Sequence, residues 1–245
     1  MKIHQVRTRL SNSYVVDHGD RLLVVDVGFR CHEYVLGFLE HELGRPASDV
    51  ELVVCTHDDA DHIGGVRHLA LACSAAFAIP FASRHSLRKN LNDPTGSLVR
   101  LGTSVLEATR PRAWRMYMSP DRQSRLRRRP RKRVTLSSRD VGQLRPSLRL
   151  RHGMALPGFE DWSVVHTPGH SWDSCCFHHA ESGALLSGDT LLGSSEKDQL
   201  VLPSIFSNRR QMRSALERLR ALEVHSVYPG HGSAFHGDDL LDALP

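Results

Sequence analysis

The first eighty residues alternate short apolar runs with polar turns. Residues 2–7, 12–17 and 21–27 read as three strands of a meander, separated by Ser-Asn and Gly-Asp turns. Val35, Leu36, Leu39 and Leu43 then recur at helical spacing, which predicts a helix over 31–43 that closes at Gly44 with Pro46 beyond. An apolar strand at 51–55 runs into a polar turn, and Gly64-Gly65 opens a helix over about 66–75. The next strand is expected at 77–81 and a further helix at 97–108. Residues 109–133 break this pattern, with many arginines, three prolines and no apolar face. Order returns in short strands at 148–152, 162–166, 175–179 and 184–187. Ser207 or Asn208 can cap a helix to about 222, with Met212, Ala215, Leu216, Leu219 and Leu222 on one face, before a last strand at 224–228.

Charge sharpens this picture. The net charge of +5 hides an insert, residues 110–151, with fifteen of the 32 basic side chains and only Asp121 and Asp140 as acids. Elsewhere 17 basic side chains face 25 acidic ones, so an acidic body carries one strongly basic segment. No apolar run approaches the roughly 18 residues of a membrane span, and the first residues lack the apolar stretch of a signal peptide. Five scattered cysteines form no disulfide framework, and a cytoplasmic location is expected. Cys175 and Cys176, neighbours on a strand, read as small packing residues.

The turn after the 51–55 strand is crowded with ligand-type side chains: His57, Asp59, Asp61 and His62 fall within six positions. Carboxylates held this close repel one another unless a cation sits between them. Three more loops follow apolar runs, namely Thr167-Pro168-Gly169-His170, Ser187-Gly188-Asp189-Thr190 and Pro229-Gly230-His231-Gly232. Each places a ligand-competent residue just past a strand, where a rigid sheet can fix it without burying it.

Together these motifs resemble, in kind and order, those of the metallo-β-lactamase superfamily. The first motif reads H-x-D-x-D-H, with Asp59 where the family usually has a second histidine. The resemblance implies an α/β fold, the four-layer αββα sandwich, which the two β-rich halves fit. We expect a single domain over 1–245, with the basic insert at about 84–151 as a lid. It also implies two divalent metal ions, zinc expected and manganese or iron as alternatives. His57, Asp59 and His170 would hold the first ion, and Asp61, His62 and His231 the second. Asp189 would be shared between them. Asp61 would also be catalytic, orienting a metal-bridging hydroxide. Asp59 adds a negative charge and hardens the ligand set; an alternative is that it turns away, leaving one strong site. Val25-Asp26-Val27-Gly28 resembles the family's D-x-G strand end, with Asp26 expected to brace a loop, and His166 is the remaining histidine expected to support a ligand. Thr190-Leu191-Leu192 lacks the tyrosine of lactonase relatives, and the glutathione-binding features of glyoxalase II relatives are not visible.

Hydrolysis of a small anionic ester or thioester is the leading expectation, with the insert recognising a phosphate or carboxylate tail. A phosphodiesterase or nuclease is the alternative, the 110–151 arginines following a nucleic acid and Trp114 and Tyr117 available to stack on bases. A non-enzymatic metal-binding module is the third reading, and the complete set of ligand-competent residues argues against it. The sequence leaves the substrate and oligomeric state open.

Overall fold

The computed structural model describes residues 1–82, 93–111, 134–194 and 197–245. Most of the arginine-rich run, with Trp114, Tyr117 and Arg127 to Arg133, lies outside the described residues, as does much of the expected 84–151 lid. The chain forms two compact units interleaved in sequence.

The first unit comprises Met1–Cys55, Asp59–Ile79 and the described part of Pro120–Arg149. Its strands are β1 (Lys2–Arg7), β2 (Asn12–Asp17), β3 (Leu22–Val25), β4 (Val50–Val54), β5 (Ala76–Pro80) and the edge strand β6 (Leu148–Leu150), and the sheet runs in that order. The first three form the expected antiparallel meander, and the β3–β4 and β4–β5 pairs are parallel. Helices α1 (His32–His41) and α3 (Val66–Cys73), with the single turn α2 (Ala60–Ile63), supply the crossovers that parallel pairs require. The apolar stripe predicted for α1 is its buried face: Val35, Leu36 and Leu39 join Leu22, Val24, Val53, Leu69 and Phe77 in one core. A short helix, Ser138–Gln143, was not predicted; Ser137 caps it by accepting from the Asp140 amide, and its Val141 is buried.

The second unit comprises Thr56–Asp58, the described part of Pro80–Ser119, and Leu150–Pro245. Helix α4 (Pro94–Ala108) begins three residues before the expected start, because Asp93 caps it and Pro94 suits its first turn. The strands β7 (Ala155–Leu156), β8 (Phe159–His166), β9 (Cys175–His179), β10 (Ala184–Gly188), β13 (Ser226–Pro229) and β14 (Phe235–His236) make a sheet in the order β14-β13-β10-β9-β8-β7. The β10–β13 pair is parallel, and the connection between its strands includes α5 (Arg209–Arg220). Asn208 caps α5 through the Arg210 and Gln211 amides, and Met212, Ala215, Leu216 and Leu219 are buried as predicted. Cys176 lies in the core with Leu185, Leu216 and Val227, while Cys175 donates to the Thr56 carbonyl at 3.2 Å. The hairpin β11 (Leu192–Ser194) and β12 (Gln199–Val201) was not predicted, since its three-residue strands are too short to show periodicity.

Among the described residues no helix is long and apolar enough to cross a membrane.

Candidate functional site

In the first unit, Asp59, Asp61 and His62 sit on and just before α2, at the end of the β4 strand and its turn. The α2 turn is pinned to the loop after β3: the Val27 amide donates to the His62 carbonyl at 2.7 Å, and the Gly65 amide to the Val27 carbonyl at 2.7 Å. A Cβ on Gly65 would lie 2.5 Å from the Gly28 carbonyl oxygen, and one on Gly28 would lie 2.6 Å from that of Asp61. The glycine pair expected to permit a tight turn is therefore needed in part for close backbone approach. Asp26, held at φ 59°, takes the bracing role expected of it: its Oδ2 accepts from His62 Nδ1 at 2.8 Å with both side chains buried. This fixes the tautomer, so that Nε2 carries the lone pair a metal needs. That nitrogen lies 3.7 Å from Asp61 Oδ2, and the Asp61 side chain is 28% exposed.

In the second unit, His57, His170, Asp189 and His231 are brought together, all of them buried. Asp189 Oδ2 is 3.6 Å from His170 Nε2 and 3.4 Å from His231 Nε2. The ligand atoms of His57 lie within 4.8 Å of those of both His170 and Asp189. Two donors on one tetrahedral cation, each at about 2.0–2.1 Å, are about 3.3 Å apart. Imidazole nitrogens flanking a buried carboxylate at this spacing fit a divalent cation.

Two of these side chains are oriented from behind, and the other two are carried on loops tied through the backbone. His57 Nδ1 meets Thr56 Oγ1 at 3.0 Å, and His170 Nδ1 donates to the Ile205 carbonyl at 2.8 Å. Gly169, at φ 147°, brings the His170 loop against the start of α5: a Cβ there would fall 2.6 Å from the Met212 nitrogen. Ser207 seals this contact, its hydroxyl donating to the His170 carbonyl. The loops bearing Asp189 and His231 are tied by the Gly230 amide to the Gly188 carbonyl and the Gly193 amide to the His231 carbonyl. His166, expected to support a ligand, faces the Trp172 loop. Its Nε2 donates to the Trp172 carbonyl at 3.0 Å, and burial pushes its imidazole below the usual range.

Two residues escaped the sequence reading. Asp173 is fully buried, accepting from the Asp58 amide at 2.8 Å and from Ser171 Oγ at 2.8 Å, and so joins the His57 loop to the His170 loop. Arg100, on α4, donates from Nη2 to His170 Nε2 at 3.0 Å. Neither stands in a motif, and only the fold reveals their partners.

Comparison with known proteins agrees with this chemistry. A profile of the metallo-β-lactamase superfamily matches residues 6–231. The chain is 26% identical to the acyl-coenzyme A thioesterase MBLAC2 of Gallus gallus over 94% of its own length and 75% of that protein. It is 34% identical to a probable metallo-hydrolase, YqjP, of Bacillus subtilis, over 34% of its length and only 28% of that protein. Among solved structures, TTHA1623 in a di-iron-bound form superposes with a TM-score of 0.54 at 23% identity, covering 96% of this chain and 94% of the other. Members of this group carry divalent metals on an α/β sandwich, the fold class read from the motifs. With the matching profile spanning nearly its whole length, the chain belongs to the metallo-β-lactamase superfamily.

Proposed function

We propose that this protein is a metal-dependent hydrolase acting on a small anionic thioester or ester. The observation that carries the reading is the buried Asp189 carboxylate between two imidazole nitrogens, His170 and His231. The acyl-coenzyme A thioesterase relative, matched over 94% of the chain, favours the thioester. By family resemblance, His57, Asp59 and His170 would hold one divalent ion and Asp61, His62 and His231 a second, with Asp189 shared. Zinc is the expected metal, and the di-iron form of one structural relative keeps iron in the comparison. When bound, such ions supply Lewis acidity toward the scissile carbonyl and a nucleophile at neutral pH.

The chain's own groups do the rest. Asp26, Thr56 and the Ile205 carbonyl hold the ring orientations of His62, His57 and His170. Asp61, a partly exposed carboxylate, orients the attacking water and receives its proton. The same reading makes the chain a single domain with a lid at about 84–151 and sets it in the cytoplasm, where five buried cysteines stay reduced.

The test is metal analysis of the purified protein, followed by a panel of acyl-coenzyme A thioesters, carboxylic esters, phosphodiesters and β-lactams. Thioester turnover that chelation abolishes and metal restores is expected. Turnover that survives complete metal removal, or phosphodiester cleavage exceeding thioester cleavage, would replace this reading.

A further inference from the structure

Helix α4 carries Arg100 and Thr103 one turn apart, and both engage the segment that orients His170. Thr103 Oγ1 lies 3.3 Å from both the backbone nitrogen and the carbonyl oxygen of Phe206, accepting from the nitrogen. The neighbouring Ile205 carbonyl receives the Nδ1–H of His170 at 2.8 Å. A carbonyl can only accept, so the His170 hydrogen is on Nδ1 and its one lone pair is on Nε2. That lone pair is the acceptor for Arg100 Nη2 at 3.0 Å. A single lone pair serves either a guanidinium N–H or a metal ion.

From this geometry we infer that Arg100 is an anion-binding residue of the site, held in reserve on a metal ligand. In the folded chain its guanidinium donates to His170 Nε2. A metal at that nitrogen displaces it, and α4 stays anchored through Thr103, so the side chain moves and the helix does not. The displaced guanidinium remains beside the metal, where its planar fork suits a carboxylate or phosphate. Arg100 thus selects substrates with an anionic group near the scissile bond. The inference rests on the proposed metal binding, but its test needs no turnover.

One substitution, Arg100→Gln, separates two effects of opposite sign. Zinc titrated into metal-free protein against a chromophoric chelator should bind about tenfold tighter in R100Q, since one charge-assisted hydrogen bond no longer competes. Inorganic phosphate titrated into the zinc-loaded protein should bind about tenfold more weakly in R100Q, with R100K in between. A helix merely loosened by the substitution would shift both affinities the same way or neither. Unchanged zinc affinity, unchanged phosphate affinity, or shifts of the same sign would overturn the inference while leaving metal binding in place. If neither protein binds zinc, manganese or iron, the metal reading itself falls and takes the role of Arg100 with it.

Discussion

Substituting Asp26 isolates what a buried carboxylate behind a histidine contributes to the metal site. Asp26→Asn keeps the shape, and asparagine tolerates the left-handed φ of 59° better than most residues. The amide oxygen can still accept from His62 Nδ1, so the 2.8 Å contact survives without its charge. Both side chains are almost wholly buried, at 0% and 2% exposure, so solvent screens the lost charge little. Mutating such a partner of a metal-bound imidazole lowers metal affinity by about 10–100-fold, or about 1.4–2.8 kcal/mol. The weakened ion should be the one assigned to His62, with the other unchanged. The assay is zinc competition against a chromophoric chelator, with a thermal melt to confirm folding. A folded variant whose two zinc affinities both stay within twofold of the parent would refute the reasoning.

Three further outcomes are expected. Asp61→Asn should lower turnover at least about a hundredfold while leaving the melting curve near that of the parent, and hydrolysis within threefold would remove Asp61 from the mechanism. Asp59→His should shift the zinc-to-manganese preference toward zinc, because imidazole is the softer donor; an identical competition ratio in both proteins would contradict this. The stacked pair His32 and His68, ring centroids 4.9 Å apart, has both imidazoles pushed below the ordinary range, chiefly by burial. The folded state then binds fewer protons than the unfolded one, so this contribution is intact above the unfolded pKa of about 6.5 and is lost as pH falls through the lower folded values. Urea melts of the metal-free protein from pH 7.5 to 5.5 should show falling stability, and His32→Gln combined with His68→Gln should flatten that fall; an equal fall in the double variant would count against it.

Much of the first unit was legible because its elements are amphipathic in the simplest way. The stripe of Val35, Leu36 and Leu39 and the β-branched runs of the meander each record which face is buried. The hairpin of β11 and β12 left no such record, as three residues per strand cannot establish a period. The candidate ligands were legible for a different reason: imidazole and carboxylate clustered past strand ends have few uses other than holding a cation. Their supports were not. Asp26 meets a histidine 36 residues away, Arg100 one 70 residues away, and Asp173 an amide 115 residues away. Sequence pattern carries information about the face an element buries and about chemistry packed into one turn. Which side chains meet across such separations depends on strand order and loop closure, so the tautomers, the orientations and the guanidinium on His170 were decided only when the chain folded.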